Sequence, residues 1–542
     1  MKSSSDLLAG AAKATTYNMA LQLMIRVMTF LLNAFVLRFI TRDLLGVVNV
    51  RLLLLHSTLL FLSCEPFDKA CLSKQEKKDW RQVINLMWCA VPISLVFGTV
   101  LGSVWMFALK LPDPEAVPYY NIGVVCFCLT SVLECIADPL WLVARAHLFV
   151  KLKVLAFGAN QATKCVITVL LIYFVPSLGL LAFCIAQVTG AAVYCVIYYV
   201  YFTLYVAKKK DEDFPLKSVR DFFPQRIEGK PYFDSQLTSL VGSFFQQSLL
   251  KQVLTEGEKF VMTFLGALSF ADQGVYDVIN NLGSMAARFI FQPIEESGNL
   301  FFSQLLVRGI PIHQQKQDSA LLCSQVLAYV LKTVTLIGLT ILVFGQSYSF
   351  LALDLYGGSI LSSGAGPSLL RWYCLYVLFI AINGITEGFV FATMSKEDVD
   401  RYNRKMFIFS GVFLLSSWLL TKYLGSVGFI LANCFNMLVR ILHSVSFIRG
   451  YYRQSSALPL REGFPAPLVL VSLGVVSLIM YTSEKLLCCD KGILRRILHV
   501  GIGGVCLLAV LLIIYVSEKK LIAFVKEQFD KRKNIKSEEK SS

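Results

Sequence analysis

The sequence predicts an all-α polytopic membrane protein of about 14 transmembrane helices, arranged as two six-helix lobes around a central cavity with an extra C-terminal helix pair. Three observations predict this. Apolar runs of 18 or more residues, long enough to cross hydrocarbon, recur along the whole chain. Of its 542 residues, 56% are hydrophobic and only 16% charged, against roughly 25% charged in soluble proteins. Lys and Arg also gather on alternate loops, as a chain threaded back and forth through a bilayer requires.

In chain order the runs lie near 17–40, 44–63, 82–109, 119–143, 154–175, 178–206, 237–266, 273–306, 318–345, 367–394, 404–421, 425–448, 465–484 and 494–517. The first sixteen residues are polar and hold no cleavage motif, so the first run reads as an uncleaved anchor. With the N-terminus in the cytosol, the cytosolic loops carry 24 Lys and Arg and the opposite loops 5. That asymmetry predicts an even number of spans with both termini cytosolic. It also accounts for the net charge of +15, which otherwise suggests nucleic acid, and no nucleic-acid partner is expected.

The longest polar interruption, 207–236, reads as a cytosolic linker between an N-terminal lobe (1–206) and a C-terminal lobe (237–448). A cytosolic loop (449–464), the extra helix pair (465–517) and a basic tail (518–542) follow. Two matches suggest that the lobes are repeats. "ITRDLLGVVNV" after the first run parallels "SFADQGVYDVI" after the seventh, through Gly46-Val47 and Gly274-Val275. "SLGLLAFCIAQV" parallels "SVGFILANCFNM". Lobes of six spans share one orientation, so the repeat axis lies along the membrane normal.

Four runs carry polar stripes. Gln22, Arg26, Thr29 and Asn33 recur at steps of four, three and four, which keeps them on one helix face. Span two places Arg51, Thr58 and Glu65 at seven-residue steps; span seven aligns Gln247, Lys251, Thr255 and Glu258; span eight aligns Asn281, Ser284, Arg288 and Glu295. These are the first hairpins of the two lobes. A charge at the centre of a bilayer costs roughly 2.5–3.5 kcal/mol on insertion scales, so the stripes predict a water-filled cavity. The plainer alternative is that Arg288 pairs with Glu295 or Glu296 and only pins helices. Arg38 and Lys259 read as snorkelling groups, and Glu134, Asp138 and Glu387 as carboxylates solvated at helix ends, with proton or ion coupling as the alternative. Guanidinium groups hold phosphate bidentately and stay charged, so an anionic, phosphate-bearing ligand fits the cavity. Pro293 and Gly283 are candidate hinges in span eight.

Enzyme signatures do not appear. The sequence has no GKS or GKT phosphate loop, no HExxH and no GxSxG, so neither nucleotide hydrolysis by that route nor those hydrolase chemistries are expected. The fifteen cysteines sit mostly singly within spans and the five histidines are scattered. No metal or cofactor is expected.

Several runs are familiar: "NAFVLRF", "GVVNVRL", "VKLKV", "LTEGEKFVMTF", "DQGVYDVINNLGSMAARFIFQPIEES", "YGGSILSSGAGPSLLRWYCLYV", "MSKEDVDRYN" and "GSVGFILANCFNM". Over nearly its whole length the chain resembles the eukaryotic Rft family, which sits with lipid-linked oligosaccharide flippases beside bacterial lipid II flippases and multidrug exporters. The resemblance implies an endoplasmic reticulum protein that moves, or helps to move, Man5GlcNAc2-diphosphodolichol from the cytosolic to the lumenal leaflet by alternating access, with glycan-assembly enzymes as possible partners. The alternative is a non-transporting scaffold that binds the lipid-linked oligosaccharide during its assembly. By the same likeness Arg26, Arg51 and Arg288 match cavity arginines of the lipid II flippases. Lys251 and Asn33 would join them at the pyrophosphate, with Gln22, Thr29, Asn281, Ser284, Glu258 and Glu295 as polar support. The last two spans would form a groove for the isoprenoid tail. At 64–71 the chain reads "CEPFDKAC", so Cys64 and Asp68 stand where the family often carries basic residues, and that turn gets no phosphate role.

Overall fold

A computed structural model describes residues 27–28, 30–72, 79–147, 149–208, 214–227, 229, 231–455, 457–489, 492–524 and 526. No strand occurs among them. Eleven helices among the described residues are long and apolar enough to cross a membrane. They are span two (Arg42–Leu72), three (Trp80–Ala108), four (Tyr120–Ala146), five (Lys151–Phe174), six (Leu180–Ala207), nine (Gln317–Gly357), ten (Gly366–Thr393), eleven (Lys396–Leu424), twelve (Val427–Tyr451), thirteen (Pro467–Leu487) and fourteen (Ile493–Ser517).

The remaining three of the expected fourteen are the first, seventh and eighth. Residues 17–26 and 29 of the first lie outside the described residues. The seventh and eighth are helical but broken. The seventh runs Ser235–Thr255 and resumes as Gly257–Phe264, and the eighth runs Phe270–Ala286, then a π-helical turn Ala287–Phe291, then Gln292–Leu305. Their polar stripes and short segments keep them from resembling simple apolar rods. Span nine departs from the sequence reading in the other direction. The sequence closes it near 345, yet it continues for 41 residues, about 60 Å at 1.5 Å per residue and twice the hydrocarbon thickness. No proline interrupts it, Gly338 and Gly345 are tolerated within it, and Gly358 at φ +66° ends the helix in a backbone region that glycine enters freely.

The chain folds as two compact units, Met1–Asp277 and Val278–Ser542. In the first, span six lies against four and five, span two against three and four, and span seven against two. Leu52, Leu54, Leu55 and Leu59 of span two pack with Trp105 and Phe127 in its centre. Part of the polar stretch 207–236 is docked on this unit. Phe214, Leu216 and Phe222 join Leu140, Tyr198 and Phe202 in one apolar cluster. Trp88 Nε1 donates to the Phe222 carbonyl at 2.8 Å, and Asn85 both donates to the Gln225 carbonyl (2.9 Å) and accepts from its N–H (2.8 Å). A capping box of Ser218 and Asp221 starts the short turn Val219–Phe222. Polar composition here marks a strap laid on the unit's surface.

The two glycines matched between the halves meet. A Cβ on Gly46 would collide with the Phe270 carbonyl, and one on Gly274 would lie 2.6 Å from the Gly46 nitrogen. The start of span two and the start of span eight thus cross backbone to backbone, which only residues without a side chain allow.

In the second unit, span ten lies against eight, nine and twelve, and eleven against twelve. The extra pair belongs to this unit. Leu336 of span nine packs with Val469, Leu473, Val476 and Met480 of span thirteen and Cys506 of span fourteen. Arg371 pairs with Glu484, Arg496 with Asp354 at 2.9 Å, and Lys332 with Glu518 at 2.8 Å.

The glycine crossing yields a test. Gly46→Ala and Gly274→Ala should each overpack it at a cost of about 1–3 kcal/mol, lowering the apparent unfolding temperature of the purified protein in detergent. Gly411→Ala, where a Cβ meets open space, should leave that temperature unchanged.

Candidate functional site

Of the stripe in span one, Gln22, Arg26 and Thr29 lie outside the described residues, and Asn33 is exposed. Span two opens with an α-helical turn, Arg42–Gly46, followed by a π-helical turn, Val47–Leu52, that carries Arg51. Such turns insert one residue into an α-helix and recur at functional positions. Arg51 is 1% exposed. Its guanidinium lies over the Phe270 ring, 5.1 Å from the centroid, and its Nε and Nη1 have no hydrogen-bond partner among the described residues. Its carbonyl accepts from Trp105 Nε1 at 3.0 Å, fixing the backbone of the turn.

Further along, the stripes of spans two and seven face each other. Gln252 Nε2 donates to Thr58 Oγ1 at 3.3 Å, and Lys251 Nζ reaches Glu65 at 3.1 Å, where Lys69 also arrives at 3.2 Å. Lys251 remains more than half exposed and lies 5.2 Å from the Phe61 ring centroid. Glu258 accepts from the Tyr276 hydroxyl at 2.6 Å. Gln247 and Thr255 are exposed.

In the second unit Arg288 also sits on a π-helical turn, Ala287–Phe291. It is exposed, donates from Nη2 to Ser284 Oγ at 2.6 Å, and makes no ion pair among the described residues. The pairing with Glu295 or Glu296 weighed above is not made; Glu296 accepts from Gln292 at 2.8 Å. Asn281 is exposed on the same stripe. The opposite side of the helix is packed, since Gly283 seats against the Tyr373 ring and Tyr373 donates to Asn280 at 2.9 Å. Glu295 is half-buried, its carboxylate against Gly384.

Glu134, Asp138 and Glu387, read from sequence as solvated helix-end groups, are none of them on a solvated end. Glu387 is 7% exposed and accepts from Asn383 Nδ2 (2.9 Å) and the Tyr402 hydroxyl (2.6 Å) while pairing with Arg440. Asp138 Oδ2 is shut off from solvent without a hydrogen-bond partner among the described residues. Glu134 lies between two bases: His56 Nε2 is 3.6 Å from one oxygen and Lys164 Nζ 3.5 Å from the other. The ion-pair partners of Glu134 and Glu387 come from other helices, at sequence separations no periodicity reveals.

Glu134 opens onto a half-open cavity of about 670 Å3 lined by spans one, two, four, five and six. Asn33, Asn49, Asn160, Gln161, Lys164, Thr168 and Gln187 line it together with His56, Glu134 and the rings of Phe127, Phe157 and Phe183. Only Asn33 among these was singled out as a site residue from sequence. A signal existed in span five, where Asn160, Lys164 and Thr168 recur at steps of four like the stripe of span one. Gly190 of span six makes room for them, since a Cβ there would lie 2.5 Å from Lys164 Cγ and 2.7 Å from Asn160 Oδ1. His56 is held from behind by Ser131 Oγ, 2.9 Å from Nδ1.

This helical order is the fold seen in a lipid flippase and in a multidrug transporter. A lipid II flippase, MurJ, in an inward closed conformation, superposes with a TM-score of 0.60 at 11% identity, covering 94% of this chain and all of that one. An inward-facing multidrug resistance MATE family transporter of the MOP superfamily follows with a TM-score of 0.54 at 13% identity, over 81% of this chain and 99% of that one. In sequence, the Man(5)GlcNAc(2)-PP-dolichol translocation protein RFT1 of Xenopus tropicalis is 48% identical, spanning 99% of this chain and 100% of its own. That of Mus musculus is 46% identical over 97% and 98%. The family model described as Rft protein matches residues 10–528. The chain belongs to the Rft family.

The buried and exposed charges should separate in a stability test. Glu387→Ala strands the Arg440 guanidinium and should cost about 3–5 kcal/mol. Lys251→Ala breaks a largely exposed pair and should cost less than about 1 kcal/mol. Denaturant or thermal unfolding of the two purified variants in detergent reads the difference.

Proposed function

We propose that this chain is a glycolipid transporter of the endoplasmic reticulum membrane. It moves a dolichol-pyrophosphate-linked oligosaccharide, the Man(5)GlcNAc(2)-PP-dolichol named for its relatives, from the cytosolic to the lumenal leaflet. The observation that carries the reading is Arg51: a guanidinium buried within a membrane-spanning helix with N–H groups left unmade. A buried charge without a partner is costly, and a pyrophosphate supplies the paired acceptors that its fork geometry takes. Arg288, on the π-helical turn of span eight, is the other described candidate, and Arg26 completes the set inferred from sequence. From sequence we assign Lys251 and Asn33 to the same ligand, with Gln22, Thr29, Asn281, Ser284, Glu258 and Glu295 giving polar support, although Asn33 lines the cavity of the first unit.

In this reading the six-helix lobes at 1–206 and 237–448 rock to expose the arginines alternately to the two leaflets, while the dolichol chain stays in lipid beside the extra pair at 465–517. Both termini and the loops at 207–236 and 449–464 lie in the cytosol, in keeping with their Lys and Arg. The chain performs no covalent chemistry, and in the absence of a nucleotide-binding motif the movement is downhill or coupled to an ion. Enzymes that build the glycan on either side are its functional partners.

Reconstitution into liposomes tests this. Wild type should move the diphosphodolichol glycolipid between leaflets, whereas Arg51→Ala and Arg288→Ala, folded by thermal unfolding, should be slower by about tenfold or more, the loss of one charge-assisted hydrogen bond each. Folded wild type that moves no glycolipid, with or without an ion gradient, would overturn the transport reading in favour of a binding scaffold.

A further inference from the structure

The cavity of the first unit differs in chemistry from the arginine positions, and we infer that it holds an uncharged sugar segment of the transported glycolipid. This rests on the glycolipid reading above and adds where the headgroup is held.

Charge excludes the other ligand classes first. Both oxygens of Glu134 are already flanked, by His56 at 3.6 Å and Lys164 at 3.5 Å. A metal or monovalent cation would have to expel Lys164 to reach the carboxylate. The carboxylate equally neutralises Lys164, so the cavity has no surplus positive charge to offer a phosphate. A neutral ligand remains.

The lining then specifies what kind. Five amide side chains face the cavity, and each presents donor and acceptor groups together. An ion needs one sign of partner, whereas a sugar hydroxyl donates and accepts at once and matches an amide in both capacities. One of these amides is waiting for such a partner. Asn160 is 5% exposed, lies on the cavity wall, and its Oδ1 has no hydrogen-bond partner among the described residues. A buried acceptor left unmade is unfavourable, and a hydroxyl donor from a ligand satisfies it. Gln187, 7% exposed, stands on the facing helix. Aromatic rings complete the lining, Phe157 among them at 52% exposure on the rim, and they suit the C–H faces of hexose rings. The volume, about 670 Å3, falls within the roughly 300–1,000 Å3 of small-molecule sites.

The probe is the free Man5GlcNAc2 oligosaccharide without its lipid, titrated calorimetrically into the purified full-length protein. Wild type should bind it, and inorganic pyrophosphate should not displace it. Asn160→Leu and Gln187→Met, near wild-type volume but stripped of hydrogen bonding, should each weaken binding about tenfold; if one fails to show a cooperative unfolding transition, the other carries the test. Binding left intact in a folded variant, or abolished by pyrophosphate, overturns the inference. So does wild-type protein that translocates the glycolipid in liposomes yet shows no affinity for the free glycan. Protein that binds the glycan through Asn160 and Gln187 but translocates nothing would uphold the cavity and overturn the transport reading instead.

Discussion

The cost of holding an ionised side chain away from water governs this molecule. Inside hydrocarbon nothing but the protein itself can solvate a charge, so each charged residue in a span is either fastened to a partner or placed where something else will solvate it. Glu387 with Arg440, Glu134 with His56 and Lys164, and Arg371 with Glu484 follow the first course. Each ties together helices distant in sequence, and each would leave a stranded charge if cut, so these pairs hold helix positions as much as they add stability. Arg51 and Arg288 follow the second. Neither has an ion pair among the described residues, and both lie on π-helical turns. Under the function proposed above, the unfastened arginines are the ones left for a phosphate.

The π-turns give that sorting a geometric side. An added residue widens one turn and rotates everything beyond it relative to the preceding segment. In span two it lies between the glycine crossing at Gly46 and the face that meets span seven through Thr58 and Glu65. In span eight it lies between Gly283, seated against Tyr373, and the half-buried Glu295. In both helices a glycine contact lies on one side, an acidic side chain (Glu65 or Glu295) on the other, and the arginine occupies the irregular turn between them. The two turns do not share a register: Arg51 follows Gly46 by five residues and Arg288 follows Gly274 by fourteen, so the device recurs at a different height in each helix.

How much of this was legible follows from what each signal depends on. Eleven of the fourteen apolar runs are membrane-length apolar helices among the described residues, because crossing a bilayer is a local property of composition and length. The glycine match was legible for a similar reason: a backbone crossing allows no other residue. The end of span nine was misplaced, since hydropathy falls off near 345 while the helix itself continues until a residue stops it. The stripes of spans two and seven were visible, but not that they would face each other; that takes the packing of helices nearly two hundred residues apart, as does the burial of Glu134 and Glu387. The π-turns leave no mark in the sequence at all, since the residues of Val47–Leu52 would suit an ordinary α-helix equally well. The cavity lining in span five did leave a mark, the four-residue recurrence of Asn160, Lys164 and Thr168, weaker than the stripe of span one because its one cation is balanced by a carboxylate on another helix.

A dolichol-linked oligosaccharide poses three solvation problems at once: a tail that water rejects, a pyrophosphate that hydrocarbon rejects, and a glycan that is uncharged but loses many hydrogen bonds on leaving water. One uniform cavity serves these poorly. Guanidinium groups strong enough for the pyrophosphate gain little from hydroxyls, and amides that match hydroxyls cannot compensate two phosphate charges. Under the readings proposed here the chain separates the tasks, with unpaired arginines for the charge, an electroneutral amide-lined cavity for sugar, and apolar helix surface for the tail. That division also bears on release. A cavity whose own charges cancel holds its ligand by many modest, individually exchangeable hydrogen bonds, each of which water can replace in turn, so the glycan is shielded while it crosses and is not trapped on arrival.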